Sequence, residues 1–312
     1  MRSGNIAVFG TISLDLTFNI YSLPNIDTQS IFANEYNESH GGAAANVCAY
    51  LAGTTLIDTL LISAIGNDET GNNLIKYINQ CGVNTSGVMV YSSCSSSRIC
   101  TLIEPSGKRM HIVFPGAIEK LNINDIQTDI LDKYSYLYIA PNKRSDISNY
   151  LAQYCKTKGI CTIFNPGPAY MMDDTRIKEA YDIFKNIDIL ILNEYESRCY
   201  SGKIEFSEIS NKLLNAGPSM LVITTDKKGA KVFTTANEYV HKGFQVEEIN
   251  SIGAGDAFSA GFIGMLAKGK NVEYALTFAN GLGAWKVQNS GTRDCIPSIN
   301  DITKFMQIHS KK

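Results

Sequence analysis

Short, uninterrupted apolar runs recur along this chain of 312 residues, and they constrain its fold more than any other feature. Successive side chains of a strand point to opposite faces of a sheet, so a strand that is apolar throughout must be covered on both faces. Such strands are typical of a parallel sheet with helices on both sides. The runs that predict them are Ile6–Phe9, Leu60–Ile65, Tyr136–Ala140, Cys161–Phe164, Ile189–Leu192, Leu221–Thr224 and Lys231–Thr234.

Helical patterns fill the intervals between these runs. Several of them end at a glycine, which readily adopts the left-handed conformation that closes a helix. Strands that alternate with helices in this way indicate an α/β fold with a doubly wound, mostly parallel sheet. The predicted helices are Ala43–Leu51, Thr70–Gln80, Ile147–Lys158, Ser207–Asn215, Asp256–Lys268 and Val272–Val287.

Two regions, residues 16–39 and 89–115, interrupt this alternation with short segments of partly alternating polarity. In the second region, Arg98–Glu104 and Lys108–Phe114 flank Pro105-Ser106-Gly107, an arrangement typical of an antiparallel hairpin. We interpret the two regions as one small β-strand lid, inserted twice into a single domain that spans residues 1–312. Because the edges of the lid strands must be paired or covered, we expect a homodimer formed through the lid.

The composition favours a small-molecule partner. The chain is 44% hydrophobic and 19% charged, with a formal net charge of -2. This is ample for a hydrophobic core, and it argues against a strongly basic face for nucleic acid or anionic lipid. We therefore expect neither a nucleic-acid partner nor a membrane partner.

The N-terminus and the cysteines predict a cytoplasmic protein. Residues 1–10 run straight into a strand-like segment without the pattern of a signal peptide, and no apolar run is long enough to cross a bilayer. The cysteines are scattered without a Cys-x-x-Cys pair, as expected of reduced thiols in the cytoplasm. They are Cys48, Cys81, Cys94, Cys100, Cys155, Cys161, Cys199 and Cys295.

The segment Gly253-Ala254-Gly255-Asp256 follows a strand-like run and opens a long apolar helix. Free backbone amides at a helix N-terminus stabilise a phosphate, or the charge that develops during phosphoryl transfer. A carboxylate in the first turn, such as Asp256, could take the proton from an attacking hydroxyl. A carboxylate there is also typical of an ordinary helix cap, so this segment alone leaves both interpretations open.

Together with Ala257-Phe258-Ser259-Ala260-Gly261-Phe262, this segment closely resembles the signature of the ribokinase-like, or PfkB, family of carbohydrate and nucleoside kinases. The resemblance covers nearly the whole chain, because four further motifs follow in the family's order. They are Gly41-Gly42-Ala43-Ala44-Ala45-Asn46, similar to the substrate motif Gly-Gly-x-x-x-Asn; Asn193-Glu194-Tyr195-Glu196, similar to the Asn-x-x-Glu motif; Thr224–Gly229, at the place of the nucleotide loop Thr-x-Gly-x-x-Gly; and Phe278-Ala279-Asn280, similar to the stretch beside the adenine.

The resemblance implies a ribokinase-like fold and an ATP- and Mg²⁺-dependent kinase with Asp256 as the catalytic base. It implies that the amides of Gly253, Ala254 and Gly255 form an anion hole. The residues implied for the hydroxyls of the acceptor are Asp15, Gly41, Gly42 and Asn46. Without the resemblance, Asp15 would be interpreted as a turn residue and the two glycines as a tight turn before a helix.

The resemblance also implies a nucleotide side of the site. Its implied residues are Asn193, Thr224, Asp226, Gly229 and Asn280, and Glu196 would hold Mg²⁺ through water. The alternatives are an ordinary first-turn glutamate at Glu196, and for Asn280 an amide that bonds to a neighbouring backbone group.

Two positions depart from the family's pattern. Asn250-Ser251 stand where the family usually has Asp-Thr, and its monovalent-cation site uses that Asp, which puts potassium activation in doubt. Asp226 replaces the first glycine of the nucleotide loop and adds a charge near the expected nucleotide, so we expect an unusual phosphate-donor preference.

The acceptor is predicted only as a class. Alanines alone separate Gly42 from Asn46, and this small, uncharged wall favours a neutral sugar or nucleoside. Phe114-Pro115-Gly116-Ala117 and Ala140-Pro141-Asn142 resemble archaeal-type nucleoside kinases of the family more than true ribokinases. The alternatives are a kinase for a sugar acid or sugar phosphate, and a non-catalytic sugar or nucleoside sensor on the same fold.

Overall fold

A sheet of nine strands forms the centre of the computed structural model, which describes residues 4–25, 27, 28, 30–289, 291, 293 and 296–309. Seven neighbouring strands are parallel, and two antiparallel strands extend one edge, so the predicted α/β fold with a mostly parallel sheet is confirmed. In spatial order the strands are Glu238–His241 (β13), Ala230–Thr234 (β12), Met220–Thr224 (β11), Ile189–Asn193 (β10), Cys161–Phe164 (β9), Tyr136–Ile139 (β8), Ile6–Phe9 (β1), Thr59–Gly66 (β4) and Asn84–Tyr91 (β5).

Helices cover both faces of this sheet. Along β1, Ile6 and Val8 belong to one hydrophobic core, and Ala7 and Phe9 belong to the other. The uninterrupted apolar runs of the sequence are therefore strands buried on both faces, as predicted. The helices are Ala43–Tyr50 (α1), Glu69–Gln80 (α2), Ser145–Lys158 (α3), Asp174–Phe184 (α4), Glu194–Ser201 (α5), Phe206–Leu214 (α6), Ala254–Ala267 (α7), Val272–Val287 (α8) and Ile299–His309 (α9).

A second sheet of four strands lies in the two regions where the sequence predicts a lid, and we call it the lid sheet. Its spatial order is β3-β2-β6-β7, and the hairpin formed by β6 and β7 is antiparallel, as expected. The strands are Ser13–Ile20 (β2), Ala33–Gly41 (β3), Ser97–Ile103 (β6) and Arg109–Phe114 (β7).

The sequence-based bounds of the lid need correction. Met89–Tyr91 is the end of β5 and pairs with β4, so it belongs to the edge of the large sheet. The lid strands of the first insertion also begin earlier and end later than residues 16–39, because Ser13 pairs with Gly41.

Within the described residues, no helix combines the length and apolarity needed to cross a membrane. The seven cysteines among these residues are free thiols, and Cys48 and Cys155 are buried. Cys295 and the starting residues Met1, Arg2 and Ser3 lie outside the described residues.

Candidate active site

A hydrogen bond between Asn46 and Asp256 brings the substrate motif to the glycine-rich motif. The Asn46 Nδ2 atom donates to Asp256 Oδ2 at 2.8 Å, which joins α1 to the first turn of α7. The side chain of Asn46 is buried, and its Oδ1 atom has no hydrogen-bond partner among the described residues. A buried acceptor of this kind can take a hydrogen bond from a substrate hydroxyl.

Asp15 lies beside this pair, in contact with the first glycine of the substrate motif. Ser13 Oγ donates to Asp15 Oδ1 at 2.7 Å. A Cβ atom on Gly41 would lie 1.8 Å from Asp15 Oδ2, so the carboxylate occupies the space that any other side chain would fill. Gly42 has a positive φ of 93°, and a Cβ there would lie 2.5 Å from the carbonyl oxygen of Thr11. Glycine is therefore required at 42, whereas a side chain at 41 would have to displace the Asp15 carboxylate. The structure brings the four predicted acceptor residues together.

The two carboxyl groups have raised pKa values. Burial raises the pKa of Asp15 to about 6, although the hydrogen bond from Ser13 and the charge of Arg293 oppose this shift. Burial likewise raises the pKa of Asp256 to about 6, opposed by the hydrogen bond from Asn46 and by Arg293, whereas the charge of Asp15 raises it further. A carboxylate with a pKa near 6 is a stronger base than an ordinary aspartate, yet it is still mostly ionised at neutral pH.

Arg293 is a part of the site that our sequence reasoning missed. Its side chain is only 3% exposed, and it donates from Nε to the carbonyl oxygen of His40 at 3.2 Å and from Nη2 to that of Gly41 at 3.1 Å. Its Nη1 atom has no hydrogen-bond partner among the described residues. A single arginine gives no periodic signal, and only its position after a long apolar helix in the sequence could have drawn attention to it.

The start of α7 fits an anion site in part. Gly253 adopts the left-handed conformation with φ of 83°, and a Cβ atom on Gly255 would meet nothing within 4 Å, so the space in front of this turn is open. The amide of Ala254, however, already donates to the carbonyl oxygen of Ser251 at 3.1 Å. The predicted three-amide anion hole is therefore reduced to the amides of Gly253 and Gly255.

Four of the five predicted nucleotide residues, Asn193, Thr224, Asp226 and Gly229, lie at or just after the carboxyl ends of two neighbouring strands. Asn193 pairs with Thr224, because they end the parallel strands β10 and β11. Asp226 has a left-handed φ of 49°, a conformation that asparagine and aspartate tolerate better than most residues with a Cβ. At Gly229, a Cβ atom would lie 2.0 Å from the carbonyl oxygen of His241, so only glycine fits. The left-handed backbone at 226 explains why glycine suits this position in the family.

Asn193 and Glu196 form a capping box at the start of α5. Asn193 Oδ1 accepts from the amide of Glu196 at 2.8 Å, and Glu196 Oε2 accepts from the amide of Asn193 at 3.0 Å. Burial raises the pKa of Glu196, while the hydrogen bond from the Asn193 amide lowers it. No basic side chain among the described residues forms an ion pair with this buried carboxylate. An unpaired buried carboxylate fits a neighbouring cation, and Mg²⁺ commonly binds one carboxylate through its own water shell.

Asn280 lies in α8 and is nearly buried. Its Nδ2 atom donates to the carbonyl oxygen of Leu276 at 2.8 Å, one turn earlier in the same helix. The amide therefore already has a backbone partner, which is the alternative that the sequence left open. Its contact with an adenine stays a prediction.

Comparison with known proteins identifies the family. The model of the pfkB family of carbohydrate kinases matches residues 3–299. The chain belongs to this family. An ATP-dependent ribose-1-phosphate kinase of Halopiger xanaduensis is 27% identical in sequence, and the match covers 95% of this chain and 96% of the relative. A ribokinase of Bacillus subtilis is 25% identical, and the match covers 97% of this chain and 99% of that relative. The nucleoside kinase of Methanocaldococcus jannaschii, an archaeal member of the ribokinase family, superposes with a TM-score of 0.84 at 18% identity, covering 99% of each chain.

These findings confirm the family and the fold predicted from the motifs, and they make the protein a phosphotransferase that acts on a hydroxyl group. The likeness to the archaeal nucleoside kinase concerns the fold alone. The roles of individual residues remain predictions, which the geometry described above makes testable.

The raised pKa values predict the acid side of the pH profile. If Asp256 acts as a base, kcat/KM falls as the pH drops below about 6, because the protonated carboxyl group cannot accept a proton. In Asn46→Ala the hydrogen bond that favours the ionised form is lost, so the fall should begin at a higher pH. Initial rates between about pH 5 and about pH 8 would measure this shift. Asn211→Ala, on the exposed side of α6, is the matched control; an unchanged profile in Asn46→Ala would contradict this use of the hydrogen bond.

The contact between Gly41 and Asp15 predicts a specific loss in Gly41→Ala. The new Cβ atom would displace the Asp15 carboxylate, so kcat/KM for the acceptor should fall by roughly tenfold to hundredfold. ATP affinity, measured by calorimetry, should change little, since the nucleotide residues lie on other strands. Asn211→Ala is again the control, because Asn211 is an exposed residue of α6. Equal kinetics for both variants would argue against a role for Asp15 in acceptor binding.

Proposed function

We propose that this protein transfers the γ-phosphoryl group of ATP to a hydroxyl of a neutral sugar or nucleoside, with Asp256 as the catalytic base. The observation that carries the proposal is the setting of Asp256. It combines a raised pKa, a hydrogen bond to Asn46 of the substrate motif, and a position next to the open amides at the start of α7. The proposed base and anion site are therefore both at the start of α7, and the bond to Asn46 links the base to the acceptor motif.

The proposed reaction is an in-line displacement. Asp15 and Asn46 hold hydroxyls of the acceptor and direct one of them toward the γ-phosphate. Asp256 takes the proton of this hydroxyl as its oxygen bonds to phosphorus and the bond to the β-phosphate oxygen breaks. The amides of Gly253 and Gly255, with the N-terminus of α7 behind them, stabilise the charge on the transferred group.

Glu196 would hold Mg²⁺ through water, beside the phosphates of the nucleotide and next to the nucleotide residue Asn193. When bound, the ion would neutralise part of the phosphate charge. The capping box fixes Glu196 through one oxygen, Oε2, so that the carboxylate is already oriented at the end of β10.

The charges at the acceptor site favour a neutral acceptor. Two carboxylates, Asp15 and Asp256, are ionised above pH 6 and share one guanidinium, that of Arg293. This leaves a net negative charge, which would repel a second anionic group on the acceptor. Of the three alanines between Gly42 and Asn46, Ala44 and Ala45 are fully buried in the core and only Ala43 is partly exposed. The Nη1 atom of Arg293, which has no hydrogen-bond partner among the described residues, would donate to a neutral acceptor oxygen.

A sugar phosphate is the second candidate acceptor. The Halopiger relative carries a ribose-1-phosphate kinase name, and Arg293 is a buried cation at this site. If the Nη1 atom binds a phosphate, this contact would offset the repulsion from the two carboxylates. Comparing ribose with ribose 1-phosphate, and a nucleoside with its monophosphate, as acceptors would decide between the two candidates.

The test is a screen of ATP consumption by the purified protein with Mg²⁺ against neutral sugars, nucleosides, sugar acids and sugar phosphates. We expect turnover with a neutral sugar or nucleoside. In Asp256→Asn it should fall by about 10²- to 10⁴-fold with ATP binding retained, because a carboxamide cannot accept the proton. Asp174→Asn is the control, since Asp174 is an exposed carboxylate in the first turn of α4. Ligand-induced thermal stabilisation without turnover on any acceptor would favour the sensor instead.

The lid sheet supports the expectation of a homodimer. Its edge strand β7 exposes Ile112 and Val113 to 58% and 55%, and Phe114 to 50%. Light scattering after size-exclusion chromatography should therefore show a dimer that Ile112→Lys converts to a monomer. Val240→Lys is the matched control, because Val240 is 56% exposed on β13, the edge strand of the large sheet. A monomeric wild-type protein would contradict the proposal.

A further inference from the structure

Lys286 is a buried lysine at the end of α8. It is 2% exposed, and its Nζ atom donates to the carbonyl oxygen of Asn250 at 2.9 Å and to that of Asn289 at 3.2 Å. Removing an ammonium group from water is costly unless hydrogen bonds replace its hydration. A lysine retained in this position therefore calls for an explanation beyond packing.

The segment that Lys286 contacts leads directly into the proposed anion site. The amides of Ile249 and Asn250 both donate to the carbonyl oxygen of Val287, at 2.7 and 3.0 Å. The side chain of Asn250 accepts from the amide of Ile252 at 2.9 Å. Asn250 is thus fixed through its amide, its side chain and its carbonyl group, and the last of these bonds is the one to the ammonium group.

The environment of the ammonium resembles that of a bound monovalent cation. Carbonyl oxygens from two chain segments converge on it, and the C-terminal end of a helix contributes further negative potential. Ammonium and alkali-metal ions both bind such oxygens. The lysine differs only in being covalently tethered, so its site is always filled.

We infer that Lys286 supplies a permanent internal cation, which holds residues 249–252 in place so that the amides of Gly253 and Gly255 face the transferred phosphoryl group. Lys286 is a positioning residue, because it acts through Asn250 and not on the substrate. Phosphoryl transfer by this chain therefore needs no added potassium. This inference rests on the proposed function. The sequence put potassium activation in doubt because of Asn250, and Lys286 gives a physical reason to expect none.

The first measurement compares wild-type rates in potassium chloride and in tetramethylammonium chloride at equal ionic strength. Tetramethylammonium is too bulky to enter a site built for a primary ammonium group. We expect the two rates to agree within about twofold, since the internal cation is present in both. Potassium activation well beyond this would overturn the inference.

The second measurement uses Lys286→Ala, which leaves the carbonyl oxygens around an empty space. In tetramethylammonium its kcat should fall by roughly tenfold to hundredfold with little change in KM for ATP, because the anion site acts mainly in the transition state. Potassium or ammonium ions should restore the rate with saturation. Lys286→Met fills the space without a charge, so it should be slow in every salt. Lys268→Ala, at an exposed lysine after α7, is the control.

A thermal readout separates this inference from the proposed function. Potassium should raise the melting temperature of Lys286→Ala but not that of the wild type or of Lys286→Met, whether or not an acceptor has been found. If no acceptor is turned over but this pattern appears, the proposed function fails and the cation site stands. If Lys286→Ala is neither rescued nor stabilised by any cation, the inference is wrong. Should both variants fail to fold, the wild-type salt comparison still decides.

Discussion

The burial of the parallel sheet on both faces is the constraint on which the rest of this structure depends. Each central strand sends alternate side chains into two separate cores, as Ile6 and Phe9 do from β1. Parallel strands joined by helices must all end at the same edge, so the polar residues that follow them meet there. Asn193 and Thr224 are neighbours for this reason, and no local sequence signal was needed to bring them together.

The site formed at this edge contains groups that are unfavourable in isolation. Two carboxylates are close enough for the charge of one to raise the pKa of the other, and the structure compensates with Arg293 and with hydrogen bonds from Ser13 and Asn46. The glycines at 41, 42 and 229 leave space for a carboxylate or a carbonyl group where a Cβ atom would otherwise lie. A rigid, apolar framework makes this arrangement possible, because it holds the polar groups where their interactions are strongest.

The sequence predicted regular elements better than it predicted contacts. Ile6–Phe9 and Val272–Val287 have the expected bounds, since continuous burial and helical periodicity are local patterns. The sequence-based assignment placed part of β5 in the lid, because an edge strand alternates in polarity as a lid strand does. It missed α4, because the first turns of this helix are mostly polar. Arg293 and Lys286 could not be found in this way. Arg293 is buried beside the carbonyl group of Gly41, which is far away in the sequence, and Lys286 is buried beside that of Asn250. Such contacts between distant residues leave no repeating pattern in the sequence.

The bonds of Arg293 to the carbonyl groups of His40 and Gly41 join residues about 250 positions apart, and Asn46 and Asp256 are separated by 210. Closing loops of this length is among the slower steps of folding, because the chain loses conformational entropy before the new contact stabilises it. During synthesis, the N-terminal part of the chain emerges with Asp15 and the Gly-Gly turn but without the residues that complete the site. If Asp256 is the base, as we propose, a ribosome-bound chain lacks that base until α7 has been made, and it lacks the Arg293 contacts until residue 293 has emerged. On the proposed function, such a nascent chain would not transfer phosphate before the segments that form the site have come together.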